Sequence, residues 1–416
     1  MGPPVSNPLV APSVLITSGS LPASAAIGDT RVSVTEAATG VGASRHAGGD
    51  RVTRTGSMEP PPLRGWRPHP LDALLLAAPL ALVADLLHWG PVALFFLSGL
   101  AIMPLARYIG LGTEELAGRL GSAVGGLLNA TFGNATELII AVIALQAGLY
   151  EVVKASLIGS VLGNLLAVLG MSFLCGGWRR ERQRFDRTAA SAGAAQLAVA
   201  AGALLVPALL AATTRVTPLA VHGLSVAVAL VLLLAYGTGL LFSLRTHAHL
   251  YTEEQEEVMH GAPRWSARRA VVVLLLATVG VAVLSEFLVT GVEGLTAGLH
   301  WSPVFVGVIL VAILGNAAEH ASAVTVAMRN QMDLALSIAL GSAAQIALFV
   351  APVLVLLGLA LGRSMDLLFD PFEVAAVVGA VALVNLTIND GESTWLEGAQ
   401  LLAAYAVLAV AFFVHP

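Results

Sequence analysis

Charged residues are scarce in this sequence, and their scarcity excludes a water-soluble protein. Asp, Glu, Lys and Arg make up 11% of the 416 residues, whereas soluble domains carry about 25%. Hydrophobic residues make up 57%, and the mean hydropathy is +0.83. So few charges could not cover a surface that faces water, so the sequence predicts an integral membrane protein.

Cysteine and concentrated basic charge are also scarce. The single cysteine, Cys175, lies within a predicted apolar helix, which excludes a disulfide framework. The 21 Lys and Arg residues are spread through short loops, and the formal net charge is −5. No basic stripe therefore indicates nucleic-acid binding. The sequence also lacks a paired Asp motif, a zinc-type His cluster and a membrane Ser/His arrangement, so neither an intramembrane enzyme nor a cofactor is expected.

Residues 1–68 differ in composition from the rest of the chain. They are rich in Gly, Pro, Ser, Thr and Ala and show weak periodicity, which predicts a disordered cytosolic tail. They lack the basic start and continuous apolar run of a cleaved signal peptide. An alternative is that translation begins at Met58, just before a Pro-rich segment.

The apolar residues occur in stretches of about twenty, which favour an all-α membrane bundle over an outer-membrane barrel with strands of about ten residues. Breaks at charged, Gly and Pro residues predict eleven transmembrane helices. They span approximately residues 71–88, 91–110, 120–148, 154–176, 189–212, 217–244, 270–298, 303–328, 334–360, 371–388 and 396–414. The third is too long for one straight span, and we expect Gly125-Gly126 or Gly133 to break or tilt it.

The basic residues predict the orientation of these helices. If the N-terminus lies inside, 18 of the 21 Lys and Arg residues fall in inner segments, and only Lys154, Arg215 and Arg363 fall outside. Because inner loops of membrane proteins are enriched in Lys and Arg, this split predicts a cytosolic N-terminus and an external C-terminus. A microbial plasma membrane is the expected location.

A motif recurs within the sequence at a fixed distance. Two segments reappear 182 residues later: Gly133-Asn134-Ala135-Thr136-Glu137 as Gly315-Asn316-Ala317-Ala318-Glu319, and Gly159-Ser160 as Gly341-Ser342. Five predicted spans separate the copies, so the copies cross the membrane in opposite directions. Inverted repeats of this kind are typical of secondary transporters. The sequence predicts a first helix at 69–88, five-helix repeats at 89–244 and 270–416, and an acidic cytosolic linker at 245–269.

The two motif copies place Glu137 and Glu319 within apolar runs. An ionised carboxylate at the centre of a transmembrane helix costs about 2.5–3.5 kcal/mol, so a proton or a cation must compensate for the charge. Asn134 and Asn316 each lie three residues earlier and share a helix face with the carboxylate. A single buried Glu could serve only as a structural hydrogen-bonding group, but two in register favour a functional site.

Ser160 and Ser342 could add hydroxyl oxygens to this site. The resulting set of oxygen ligands suits Ca²⁺, which takes about 6–8 oxygens. Two carboxylates would neutralise one divalent cation, and protons would replace the cation when it leaves. Binding of the cation and binding of the protons would then exclude each other, which is the requirement for exchange.

Four further polar residues are candidates for the proton or ion pathway. His320 directly follows Glu319 and could instead be a hydrogen-bonded packing residue. Glu286 and Glu293 lie seven residues apart on one helix face and could line an aqueous funnel, although Glu293 could also face lipid headgroups. Asn164 lies four residues after Ser160 and shares its face.

The predicted linker carries an acidic segment with four Glu residues between positions 253 and 257. It could attract or sense Ca²⁺ with low affinity, or it could be a solvated acidic helix. It lacks the spacing of an EF-hand loop.

The two motif copies, continued by Leu138 and His320, resemble the two signature repeats of the calcium/proton exchanger family, within the wider calcium/cation antiporters. Three further segments fit this family, namely Gly112-Thr113-Glu114-Glu115-Leu116-Ala117, Ser285-Glu286-Phe287-Leu288-Val289 and Asp390-Gly391-Glu392-Ser393 followed by Trp395-Leu396-Glu397-Gly398. The resemblance extends from about residue 65 to the C-terminus. It implies an eleven-helix antiporter that moves Ca²⁺ out of the cytosol against an inward flow of protons.

The resemblance also implies roles for single residues. Glu137 and Glu319 would bind the ion, and the supporting residues would be Asn134, Asn316, Ser160, Ser342 and Gln345. Ala343 stands where the family often has a second Ser.

The sequence therefore predicts a secondary-active antiporter that exchanges Ca²⁺ for H⁺ by alternating access around two midplane glutamates, with other divalent cations left open as substrates. The nearest alternative is a Na⁺-driven Ca²⁺ exchanger on the same scaffold, and a passive cation channel is less expected. The expected partners are Ca²⁺, H⁺ and the lipid bilayer, and no oligomeric state follows from the sequence.

Overall fold

The structure is a computed structural model that describes residues 69–120, 122–248 and 265–415. The predicted tail at 1–68 and the acidic segment at 253–257 lie outside the described residues.

The described chain is almost entirely helical. A short 3₁₀ helix, Pro70–Leu76, leads into α1, Ala77–Leu86. The other helices are α2 Pro91–Leu120, α3 Ser122–Phe132, α4 Ala135–Gln146, α5 Tyr150–Gly177, α6 Arg187–Thr213, α7 Pro218–Thr246, α8 Ala267–Leu299, α9 Pro303–Met328, α10 Met332–Ala360, α11 Pro371–Thr387 and α12 Trp395–Val414. The short strands β1, Gln183–Arg184, and β2, Glu392–Ser393, pair antiparallel.

The helices have the length and surface of membrane-spanning segments. Within the described residues, α2, α5, α6, α7, α8, α9, α10 and α12 are long and apolar enough to cross a membrane, and α4 and α11 are shorter apolar helices. Large apolar side chains such as Leu219, Leu234 and Leu386 are 70–83% exposed. An apolar outer surface of this kind needs lipid around it, so the protein is an integral membrane helix bundle.

Local sequence signals explain where several helices begin. Ser266 caps α8 by accepting a hydrogen bond from a backbone N–H of the first turn. Helices α11 and α12 begin with capping boxes, formed by Asp370 with Glu373 and by Thr394 with Glu397. Each box satisfies backbone groups that the first turn leaves unpaired.

The long third predicted helix is broken at its polar motif. Helix α3 ends at Phe132 and α4 begins at Ala135, so the break falls at Gly133-Asn134, whereas Gly125-Gly126 lies inside α3. The backbone of Asn134 has a φ of −102° and a ψ of 28°, outside the helical range. The break therefore turns the Asn134 side chain away from the helix axis and towards neighbouring helices.

Close backbone contacts bring the two motif-bearing parts of the chain together. A Cβ atom on Gly159 of α5 would lie 2.0 Å from the carbonyl oxygen of Val308 in α9, so these helices cross in direct backbone contact. Gly315 of α9 similarly leaves room for the side chain of Glu137, whose Oε1 lies 3.5 Å from the position of an added Cβ.

The two ends of the bundle are held together differently. At one end β1 pairs with β2, and Arg182 and Arg184 both pair with Glu392. At the other end an extended segment, residues 363–370, packs over α5 and α7: Lys154 pairs with Asp366, and the Ser225 hydroxyl accepts a hydrogen bond from the backbone of that segment.

Candidate functional site

A cavity of about 750 Å³ enters the helix bundle from one end. Its mouth includes Asp186 at the start of α6, Arg329 directly after α9 and Asp333 in the first turn of α10. Its deep end includes Glu137 and Glu319. The mouth lies at the end of the bundle that carries β1 and β2, while the described loops of the opposite end do not line this cavity.

Glu137 and Glu319 face the same deep part of the cavity. Glu137 lies in the first turn of α4 and Glu319 lies on α9. The two carboxylates are close enough for their charges to interact. The Oε2 atom of each is buried and has no hydrogen-bond partner among the described residues. Buried polar atoms are nearly always partnered, so these two oxygens are open positions for a cation or a proton.

The asparagine of each motif copy bonds to the serine of the other copy. Asn316 donates from Nδ2 to Ser160 Oγ at 2.8 Å, and Ser342 donates from Oγ to Asn134 Oδ1 at 3.1 Å. All four side chains are at most 6% exposed. Asn134 also donates from Nδ2 to Gln345 Oε1. The predicted neutral residues thus form one hydrogen-bonded group, of which Ser342 and Gln345 line the cavity that contains the two carboxylates.

Ser342 connects the neutral residues to the cavity. It lines the cavity, and its Oγ accepts a hydrogen bond of 2.9 Å from Asn164 Nδ2. Asn164 itself is fully buried and does not line the cavity. Asn134, Asn316 and Ser160 are likewise not among the residues that line the cavity, so Asn164 shares its buried position with them and its predicted place along the pathway stays a prediction.

His320, Glu286 and Glu293 are not among the residues that line the cavity. His320 is partly buried next to Glu319, with no hydrogen-bond partner at Nε2 among the described residues. Glu286 and Glu293 lie on the exposed face of α8, because the opposite face, with Ser285 and Val292, packs into the bundle. The expected aqueous funnel along Glu286 and Glu293 therefore stays a prediction.

Several cavity residues were not expected from the sequence. Glu114 on α2 and Gln196 on α6 line the cavity, as do Asp186 and Asp333 at its mouth. Glu114 stands in a segment that resembles the exchanger family, and this resemblance could have indicated that Glu114 belongs to the site. The two Asp residues stand in short polar loops between predicted spans, and only the tertiary structure shows that they surround one opening.

The arrangement can hold one divalent cation or protons. Two carboxylates supply two negative charges, and the amides and hydroxyls around them supply neutral oxygens of the kind that Ca²⁺ prefers. Within the described ranges, no group of three or more His, Cys, Asp or Glu side chains could hold a metal ion. A site with only two charged ligands is suited to an ion that binds and leaves, since a larger charge count would tighten binding.

Comparisons with known proteins agree with this geometry. The sequence pattern of the family described as "Sodium/calcium exchanger protein" matches residues 90–245 and 269–414. A Ca²⁺/H⁺ antiporter of Synechocystis sp. is 49% identical over 359 residues, which cover 82% of this chain and 96% of the relative. The Ca²⁺/H⁺ antiporter ChaA of Bacillus subtilis is 44% identical over 351 residues, which cover 82% and 98%.

A solved structure is also similar. The structure of native YfkE shares 41% sequence identity and has a TM-score of 0.71, with coverage of 83% of this chain and 100% of YfkE. Both matched parts of the family pattern include one copy of the repeated motif. The chain therefore belongs to the sodium/calcium exchanger protein family and, within it, to the calcium/proton exchangers.

Proposed function

We propose that this protein is a secondary-active antiporter that exchanges Ca²⁺ for protons across a membrane. The observation that carries this proposal is the pair of buried, unpartnered carboxylate oxygens of Glu137 and Glu319 at the deep end of a cavity that opens at one end. Relatives named Ca²⁺/H⁺ antiporters support the choice of ions.

The exchange follows from charge compensation at these two carboxylates. When both are ionised, one divalent cation neutralises them, and when both are protonated, no cation is attracted. An unloaded site would leave two like charges together in a low-dielectric interior, which is costly. The protein therefore changes conformation with either Ca²⁺ or protons bound, and each ion drives the movement of the other.

The neutral ligands are Asn134, Asn316, Ser160 and Ser342. In the present arrangement the Asn134 oxygen accepts a hydrogen bond from Ser342, so it has one free lone pair for a cation. Gln345 holds the Asn134 amide and, with His320, belongs to the proposed path of the protons. Glu286 and Glu293, on the exposed face of α8, stay candidates for this path.

The proposed architecture has eleven spans, with the helix pair α3 and α4 as the third. The first span, 69–88, precedes two inverted repeats at 89–244 and 270–416, joined by a cytosolic linker at 245–269. The helix bounds support this count. The reciprocal bonds between Asn316 and Ser160 and between Ser342 and Asn134 support the repeat, since the same 182-residue offset relates them.

The proposed orientation places the cavity mouth in the cytosol of a microbial cell, with the N-terminus inside and the C-terminus outside. The mouth lies beside the Arg-rich segment 179–187, and inner loops are the basic ones. The structure then corresponds to an inward-open state. Release of Ca²⁺ on the other side requires one repeat to move against the other around the fixed carboxylates.

The experiment is Ca²⁺/H⁺ exchange by the purified full chain in proteoliposomes with a pH-sensitive dye inside. We expect Glu137→Gln and Glu319→Gln each to reduce exchange to the level of protein-free vesicles, because an amide can neither ionise nor carry the proton. Glu151→Gln is the matched control, since Glu151 is exposed at the start of α5, and it should exchange normally. Unchanged exchange by either site variant would reject the proposal.

The same vesicles separate the two alternatives. A Na⁺-driven exchanger would move Ca²⁺ when a sodium gradient is imposed without a proton gradient. A passive channel would not move Ca²⁺ uphill under either gradient. We expect uphill Ca²⁺ transport with the proton gradient alone.

A further inference from the structure

A row of hydroxyl side chains follows the cavity wall from its mouth towards Glu319. On α9, Ser322 and Thr325 lie three and six residues after Glu319. On α10, Ser337 lies four residues after Asp333, which stands at the mouth. All three hydroxyl residues line the cavity. Because residues three or four apart share a helix face, each helix presents its hydroxyls on the face that also carries the acidic residue.

The hydroxyls cover the distance between the mouth and the deep end. A short loop, residues 329–331, joins α9 to α10, so the two helices run antiparallel and pack against each other. A helix rises about 1.5 Å per residue, which puts Ser322 about 4.5 Å and Thr325 about 9 Å from Glu319 along the axis. Ser337 stands on the facing helix, between the mouth and the deep end.

These hydroxyls are available to water or to an ion. Within the described ranges, the side chains of Ser322 and Ser337 make no hydrogen bond. Thr325 donates from Oγ1 to the carbonyl oxygen of Ala321 at 2.6 Å, and the lone pairs of its hydroxyl oxygen stay open. Ser322 and Thr325 are both exposed, and the space that they face is the cavity.

The first repeat has aliphatic side chains at the corresponding positions. The 182-residue offset also relates the loops, because residues 147–149 join α4 to α5 as residues 329–331 join α9 to α10. Under this offset the three hydroxyl residues correspond to Ile140, Ile143 and Ala155. Ile140 and Ala155 are 4% and 0% exposed, and none of the three lines the cavity. The same helix pair thus forms without hydroxyls, so the fold does not require them.

Hydroxyls in the wall keep a narrow path wet. Cavities lined only by apolar groups stay dry, and a hydrophobic constriction stops ions by excluding water. Ca²⁺ prefers oxygen ligands, and hydroxyls with the waters that they hold supply such oxygens at successive steps. The aliphatic counterparts, packed into the hydrophobic core towards the closed end, supply none.

We propose that Ser322, Thr325 and Ser337 form a hydrated access path along which Ca²⁺ passes between the cavity mouth and Glu319. This inference rests on the proposed exchange and assigns to the three hydroxyls a role that their counterparts in the first repeat lack. The hydroxyls lead the ion to the carboxylates and are not ligands of the ion at its final site.

The first test removes the hydroxyls with little change in volume. Ser322→Ala, Thr325→Val and Ser337→Ala are combined in one variant, and exchange is measured in proteoliposomes. We expect the ratio of the maximal rate to the half-saturating Ca²⁺ concentration to fall about 10-fold, since hydrogen-bonding groups along the path are lost. Thr325→Ser alone keeps a hydroxyl and should exchange normally. Thr213→Val is the matched control, because Thr213 makes the same bond within its own helix at the opposite end of the bundle.

The second test reports hydration of the path without using exchange. Gly341 lines the cavity beside Ser342, and an added Cβ there has nothing within 4 Å. In a Cys175→Ser background, Gly341→Cys in inside-out vesicles should react with 2-(trimethylammonium)ethyl methanethiosulfonate. The reaction should be several-fold slower when the three hydroxyls are also removed, because a dry path excludes a hydrated cation.

The inference is overturned if the combined variant folds and retains both normal exchange and normal labelling. It is also overturned if exchange falls while labelling is unchanged, since the hydroxyls would then act in a step other than access. If size-exclusion profiles show that the combined variant does not fold, Ser322→Ala and Ser337→Ala are labelled singly, and normal labelling of both overturns the inference. Absence of exchange by the unaltered protein would instead reject the proposed function and leave the labelling result standing, so the two failures are distinguishable.

Discussion

The two carboxylates share their cavity with the neutral side chains of Ser342 and Gln345, and this choice of residues suits an ion that must leave again. No ion pair among the described residues involves Glu137 or Glu319. A fixed Lys or Arg would neutralise one carboxylate permanently and compete with the transported ion. Amides and hydroxyls carry both donors and acceptors, so they can adapt to an ionised or a protonated carboxylate by small rotations.

Glu392 shows the opposite arrangement, a carboxylate held by permanent positive charges outside the membrane-spanning helices. Arg182 and Arg184 lie 2.6 Å and 3.2 Å from its oxygens. The hydrogen bond from Arg182 is the main reason that the pKa of Glu392 lies below its ordinary value of 4.5. Because the folded pKa is below the unfolded one, the stabilisation is complete above about pH 4.5 and disappears as the pH falls through the folded pKa.

We therefore expect Glu392→Gln to lower the thermal stability of the purified protein slightly at pH 7, since exposed ion pairs contribute little. The difference from the unaltered protein should shrink as the pH falls below 4.5. Thermal denaturation in detergent, from pH 7 to below pH 4.5, measures the difference in stability between the variant and the unaltered protein. Glu181→Gln, an exposed neighbour, serves as the control and should differ little at any pH. A difference that grows towards acid pH would contradict the assignment.

At the scale of helices, the crossing of α5 and α9 sets the position of Ser160. An added Cβ on Gly159 would lie 2.5 Å from the Cα of Val308 and 2.0 Å from its carbonyl oxygen. Both are backbone atoms, which cannot move without moving the helix. The repeat-related glycine, Gly341, has nothing within 4 Å of an added Cβ. A larger residue therefore fits at position 341 but clashes at position 159.

We expect Gly159→Ala to destabilise the protein by about 1–3 kcal/mol, the usual effect of overpacking, and to impair exchange because Ser160 and Asn316 move apart. Gly341→Ala should fold with nearly unchanged thermal stability. Unfolding temperatures and expression of monodisperse protein provide the comparison. Equal stability of the two variants would show that α5 and α9 do not cross in the described contact.

At the scale of the whole molecule, the cavity connects the carboxylates to one end of the bundle only. The described residues at its mouth all belong to the end that carries β1 and β2. At the other end Met365, Leu367 and Phe369 are buried, and Lys154, the single lysine of the sequence, pairs with Asp366 beside them. The molecule is thus open on one side and closed on the other, as alternating access requires.

Chemical labelling tests this sidedness. In a Cys175→Ser background, Thr325→Cys places a thiol in the cavity, and Thr214→Cys places one in an exposed loop at the opposite end. A membrane-impermeant maleimide added to intact cells should label Thr214→Cys and not Thr325→Cys. Inside-out vesicles should give the reverse pattern. Labelling of Thr325→Cys from outside the cell would contradict the proposed orientation.

Much of the fold could be predicted because the length of an apolar segment is read from that segment alone. A helix needs about twenty apolar residues to cross a bilayer, and charged or helix-breaking residues end it. The predicted helix at 303–328 coincides with α9, and the predicted 217–244 differs by a residue or two from α7. The break in the third helix was expected at Gly125-Gly126 or at Gly133, and the structure has it at Gly133-Asn134.

The candidate site was predictable only in part. The repeat indicated which residues belong together, and the calcium/proton exchanger resemblance is confirmed by relatives at 44–49% identity. Which face of each helix points into the bundle was not predictable. Glu286 and Glu293 share a helix face, as expected, but that face is exposed. Membrane helices do not reveal their inner face by hydrophobicity, because lipid is as apolar as the protein interior.

The sequence by itself determined that the chain enters a membrane, where most of its helices lie and which two carboxylates lie within apolar runs. These follow from the energy of placing apolar and charged groups in hydrocarbon, which depends on each segment alone. Tertiary structure decided which asparagine contacts which serine and at which end of the bundle the cavity opens. Those features depend on how helices distant in sequence pack, since hydrogen-bond partners and open spaces exist only between them.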